Sequence, residues 1–69
     1  MPYEYHRNIQ FQDMEDTAEM TEMEQARTLV ARCFGLDPEA VRTMEVVEFK
    51  RCMEIVIDRN ELGGSSSEG

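Results

Sequence analysis

The chain contains no tryptophan, one histidine, two cysteines and two prolines in 69 residues. Each scarcity removes a class of function. The lone histidine, His6, has no cysteine or second histidine at ligand spacing, so a histidine- or cysteine-based metal site is not expected. Two cysteines, Cys33 and Cys52, are too few for a disulfide framework, and both fall on apolar stripes of predicted helices. They read as small buried apolar residues. No segment approaches the roughly 20 apolar residues of a membrane span, and no apolar run follows the amino terminus. The expectation is a cytoplasmic protein with no membrane partner.

Positive charge is also scarce. Seven Lys and Arg face fifteen Asp and Glu, for a net charge of −8. An acidic surface of this kind repels nucleic acid and anionic lipid, so neither is an expected partner. Phosphate-binding glycine loops are missing. The serines Ser65, Ser66 and Ser67 lie in a Gly-rich tail without a neighbouring base, which leaves no nucleophile of the hydrolase type. The acidic run Asp13-Met14-Glu15-Asp16 lacks the turn glycine of a calcium loop. No catalytic residue, cofactor or metal is expected, and the chain does not read as an enzyme.

What is present is patterned. Tyr3, Tyr5, Ile9 and Phe11 share one parity, interrupted by Arg7, while Glu4, His6, Asn8, Gln10 and Gln12 share the other. Period-two alternation with aromatic and β-branched members signals a half-buried strand. A single strand leaves its backbone groups unpaired. The expectation is therefore a strand or extended arm over 1–12 that pairs with a second copy, pairs with a partner protein or remains disordered.

The segment from Asp13 to Glu24 carries six acidic residues and no basic one. Thr21-Glu22-Met23-Glu24 fits a capping box, and Asp16-Thr17-Ala18-Glu19 offers an earlier start. A first helix is predicted from about 18 or 21 to Phe34, with Met23, Ala26, Leu29, Val30, Cys33 and Phe34 on its apolar stripe. Gly35 ends it. Asp37-Pro38-Glu39 then opens a short helix to about Thr43 that buries Val41 and Met44. A third helix starts at Thr43 or Glu45, buries Val46, Phe49, Cys52, Met53 and Val56, and frays by about Asn60. The domain plan is an arm over 1–12, a helical domain over 13–61 and a flexible Gly/Ser tail over 62–69. The fold class is mostly α, with three helices of which the middle one is short.

The stretch from Glu22 to about Val56 combines Leu29 to Leu36, with its Gly35 break, the turn Asp37-Pro38-Glu39-Ala40-Val41, the pairs Met44-Glu45 and Glu48-Phe49, and Met53 and Val56. In these features it resembles the carboxy-terminal helical half of the E-type tail assembly chaperones of contractile-tailed phages and prophages. Such proteins usually begin with a two-stranded apolar hairpin, where this chain offers one strand. The resemblance implies a non-enzymatic role in the bacterial host cytoplasm, binding the long, aggregation-prone tape measure protein during tail assembly. The expected partner-binding residues are Tyr3, Tyr5, Ile9 and Phe11 on the strand, with the methionines Met14, Met20 and Met23 beside it. The strand is also the expected route to a homo-oligomer. The alternatives are a small acidic inhibitor occupying a basic or nucleic-acid-binding groove, for which the acidic run is the motivating feature, and a homodimer with no client.

Overall fold

The structure is a computed structural model and describes residues 3–62. Among these it forms four helices: α1 (Phe11–Asp16), α2 (Glu22–Phe34), α3 (Pro38–Arg42) and α4 (Val46–Arg59). The expected Gly/Ser tail over 62–69 lies outside the described residues apart from Leu62.

Local chemistry sets the helix ends. The Glu24 amide donates to Thr21 Oγ1 at 3.2 Å and the Thr21 amide to Glu24 Oε1 at 3.3 Å, the reciprocal capping box expected for α2. At the other end Gly35 takes φ 65°. The Leu36 amide donates to the Ala31 carbonyl at 2.8 Å, so the chain reverses without orphaning that acceptor. Asp37 Oδ1 accepts from the Glu39 amide at 3.0 Å and Pro38 occupies the first turn, which starts α3. α4 begins after Glu45, and Asn60 follows its last turn.

α2 carries most of the core. Val30, Ala31, Cys33 and Phe34 pack with Val41 of α3 and with Cys52 and Val56 of α4, all buried. Among the expected stripe residues, Met23 and Val46 are exposed, at 66% and 70%. Both sit in the first turn of their helices, at the edge of the core rather than over its centre.

The amino-terminal segment corrects the strand expectation. No strand forms among the described residues. Tyr3 to Gln10 is an extended arm laid across the protein's own helices. The alternation itself persists: Tyr3, Tyr5, Arg7 and Ile9 are half-buried, while Glu4, His6, Asn8 and Gln10 are exposed. Three of the arm's backbone amides are engaged by other parts of the chain. The His6 and Arg7 amides donate to the Cys33 carbonyl at 2.7 and 3.2 Å, an acceptor in the last turn of α2 that helix geometry leaves without an internal donor. The Ile9 amide donates to Asn60 Oδ1 at 2.7 Å. Asn60 Nδ2 donates in turn to Tyr5 Oη at 3.0 Å and to the Val56 carbonyl at 2.7 Å. The Tyr5 ring meets Phe34 edge-on at 5.5 Å, and the Arg59 guanidinium lies 5.2 Å from its centroid. The end of α2 and the Asn60 side chain after α4 thus take three of the arm's amides.

Two outcomes follow for thermal or denaturant unfolding. Gly35→Ala is expected to destabilise by about 1–2 kcal/mol, the cost of a left-handed non-glycine residue with local crowding. Its new Cβ would lie 2.7 Å from His6 Nδ1, so the His6 side chain must move as well. Asn60→Ala is expected to cost about 1–2 kcal/mol by leaving the Ile9 amide and Tyr5 hydroxyl without this partner. The indole-free chain is well suited to following either change by tyrosine fluorescence or circular dichroism.

Candidate protein-binding surface

The placement of the surface depends on one buried carboxylate. Asp13 is the third residue of α1 and is 2% exposed. Its Oδ2 accepts from the Gln10 amide at 2.9 Å, which caps α1. Arg7 reaches Oδ2 at 2.7 Å and Oδ1 at 3.2 Å, a two-pronged contact from the arm. Arg32 of α2 reaches Oδ1 at 2.8 Å and also Asp16 Oδ2 at 2.7 Å. The Arg7 guanidinium hydrogen-bonded to it outweighs burial and holds the Asp13 carboxyl far below the usual carboxylate range; the Gln10 amide and Arg32 add to this. Both guanidiniums are shifted upward by their bonds to the same carboxylate. Thr17, fully buried, completes the join: its hydroxyl donates to the Asp13 carbonyl at 2.9 Å and accepts from Gln25 Nε2 at 3.1 Å.

This arrangement divides the expected contact residues into two groups. Tyr3, Tyr5 and Ile9 pack against the core cluster. The Tyr3 hydroxyl donates to Glu48 Oε1 at 3.3 Å. The other four face outward. Phe11 is 78% exposed, Met14 42%, Met20 40% and Met23 66%. Met20 Sδ accepts from Thr28 Oγ1 at 3.6 Å, which sets its side chain against α2. Exposed thioethers on a defined scaffold suit contact with apolar surfaces of varied shape.

Two hollows border the helices. One, of about 450 Å³, lies where Tyr3, Tyr5, Phe34 and Ile55 meet, with Glu54, Asp58 and Arg59 at its margin. The other, of about 360 Å³, has an apolar floor of Val41, Met44, Val46 and Phe49 with Met23 at its side. Its remaining lining is cationic: Arg27, Arg42 and Lys50. Sequence reading missed this convergence, because the three cations come from three helices and are separated by up to 23 positions. It also missed Asp13, Thr17 and Asn60 as positioning residues. The one available signal was Arg7, a charge on the inward parity of the arm.

Neither hollow brings nucleophilic chemistry together. Cys33 and Cys52 are fully buried, and burial pushes both thiols up, away from the reactive thiolate. Among the described residues no cluster of His, Cys, Asp and Glu is arranged to hold a metal ion. Among them, too, no helix is long and apolar enough to cross a membrane.

The Asp13 cluster has a pH signature. Its folded pKa lies below the unfolded value of about 3.9, so its stabilisation is complete above that pH and is lost as pH falls toward the folded value. Asp13→Asn is expected to cost about 2 kcal/mol at pH 7, less than the ~3–5 kcal/mol of a fully buried pair because the guanidiniums are partly solvated. The gap between wild type and variant should narrow below about pH 4 in acid-unfolding curves. A gap that stays constant would show that the carboxylate charge is not what matters.

No protein-family model, curated protein or solved structure matches the chain.

Proposed function

We propose that the chain is a non-enzymatic tail assembly chaperone of a contractile-tailed phage or prophage, acting in the host cytoplasm by reversible binding of the tape measure protein. The observation that carries this reading is the exposure of Phe11, Met14, Met20 and Met23 within one short stretch, while the arm's other apolar residues serve the protein's own core. Large apolar side chains gathered on the surface mark contact sites for other proteins. The net charge of −8 opposes precipitation of the free chain and of a complex with an aggregation-prone client. The helical segment from α2 to α4, with its glycine break and Asp-Pro-Glu turn, is the part that resembles the E-type chaperones. A second copy of the chain is the other expected protein partner.

The acidic-inhibitor alternative draws on Glu15, Glu19, Glu22 and Glu24, which are exposed, whereas Asp13 and Asp16 are engaged by Arg32. Salt separates the two readings. Contacts between exposed charges are largely screened at 1 M salt, where the Debye length is about 3 Å, whereas apolar contacts persist.

The test is light scattering by the tape measure protein of the same phage, refolded with and without this chain. The wild type is expected to suppress aggregation. A variant carrying Phe11→Ser, Met14→Gln, Met20→Gln and Met23→Gln should need about tenfold more protein for the same effect, equivalent to ~1.4 kcal/mol of binding. Equal protection by the variant, with unchanged helical circular dichroism, would overturn the assignment of this face.

A further inference from the structure

We propose that two copies of the chain associate reciprocally, the Phe11 and Met14 edge of α1 in each seating in the groove between α2, α3 and α4 of the other. The groove is chemically unlike the rest of the protein. Seven Lys and Arg occur against fifteen Asp and Glu, yet three of the seven line this one hollow and no carboxylate does. Arg7 and Arg32 are engaged by Asp13, so the groove gathers most of the remaining cations. Arg27 and Lys50 have no carboxylate at ion-pair distance among the described residues. Arg42 meets Glu39 at 3.3 Å in a solvent-exposed pair, which exchanges at little cost. Between these cations lies an apolar floor that includes Met44 and Phe49. The occupant that fits is a short helical edge with apolar side chains one turn apart and carboxylates beside them.

The chain carries such an edge. Phe11 and Met14 are three residues apart on α1 and both exposed. Glu15, four residues from Phe11 and next to Met14, is exposed, and Glu19 is exposed in the turn that follows; neither forms an ion pair among the described residues. Asp13 and Asp16 turn toward the protein's own arginines, which leaves Glu15 as the free carboxylate of α1, on the same helix face as Phe11 at a spacing of four. A two-fold arrangement repeats the contact, edge to groove and groove to edge, so each copy supplies both halves. Local complementarity of this kind is needed, because two chains of net charge −8 otherwise repel. The inference stands apart from the client reading. Where that reading also holds, a client and a second copy compete for Phe11 and Met14.

The experiment is sedimentation equilibrium of the full chain from micromolar to millimolar concentration, with circular dichroism as a check on folding. The wild type is expected to move from monomer to dimer. Two variants carry opposite reversals at exposed positions: Arg42→Glu with Lys50→Glu, and Glu15→Lys with Glu19→Lys. Each alone should dimerise about tenfold or more weakly, as for the loss of paired charges at an interface. An equimolar mixture of the two should regain association. Phe11→Ser should weaken the dimer without changing net charge. A wild type that stays monomeric to millimolar concentration would overturn the proposal. So would folded charge variants that dimerise as tightly as wild type, or a mixture that stays monomeric.

Discussion

The Asp13 carboxylate is the constraint on which the rest depends. It accepts from the arm through Arg7, from the start of α1 through the Gln10 amide and from α2 through Arg32. The arm, α1 and α2 are thereby held in one register. A chain of this size buries only a modest core, so specificity has to come from elsewhere. A buried charge tolerates only arrangements in which it is paired, which excludes registers that an apolar contact would accept. The outcome is an arm fixed over α2 and α4 and a short helix whose outer edge is turned to solvent.

Much of this was legible where a rule is local. The capping box at Thr21, the glycine reversal at Gly35 and the Asp37-Pro38 start each depend on a few neighbouring residues, and the helix bounds follow them. The arm was half legible. Its period-two alternation correctly divided inward from outward side chains from Tyr3 to Gln10. It does not reveal what lies against the inward face, because a strand partner and the end of a helix satisfy the same backbone amides. Here the Cys33 carbonyl and the Asn60 side chain do so. Asp13 was hidden in a run of carboxylates that looks uniformly solvated, and only its pairing with two arginines at distant positions sets it apart. α1 was hidden with it, since its single turns of helix rest on that cap rather than on a repeated apolar stripe. Met23 and Val46 fit a helical stripe by spacing, but periodicity carries no information about where the facing helices run out.

The proposed function and the proposed self-association draw on the same division. Apolar residues of the arm complete the core, and its His6, Arg7 and Ile9 amides are taken by the Cys33 carbonyl and the Asn60 side chain. The large apolar residues that follow, Phe11, Met14, Met20 and Met23, stay exposed. A groove with the matching chemistry, cationic and apolar, sits on the other three helices. A surface of this composition, carried on a strongly acidic protein, suits a partner that must be held and then released.

Residue-resolved hydrogen exchange of the wild-type chain tests the central claim most directly, namely that the arm is an integral part of the folded monomer. The account predicts that the His6 and Ile9 amides are protected and open together with α2, whose Cys33 carbonyl holds the first of them. Exchange of these two amides at the rate of an unfolded peptide, while α2 and α4 remain protected, would contradict it.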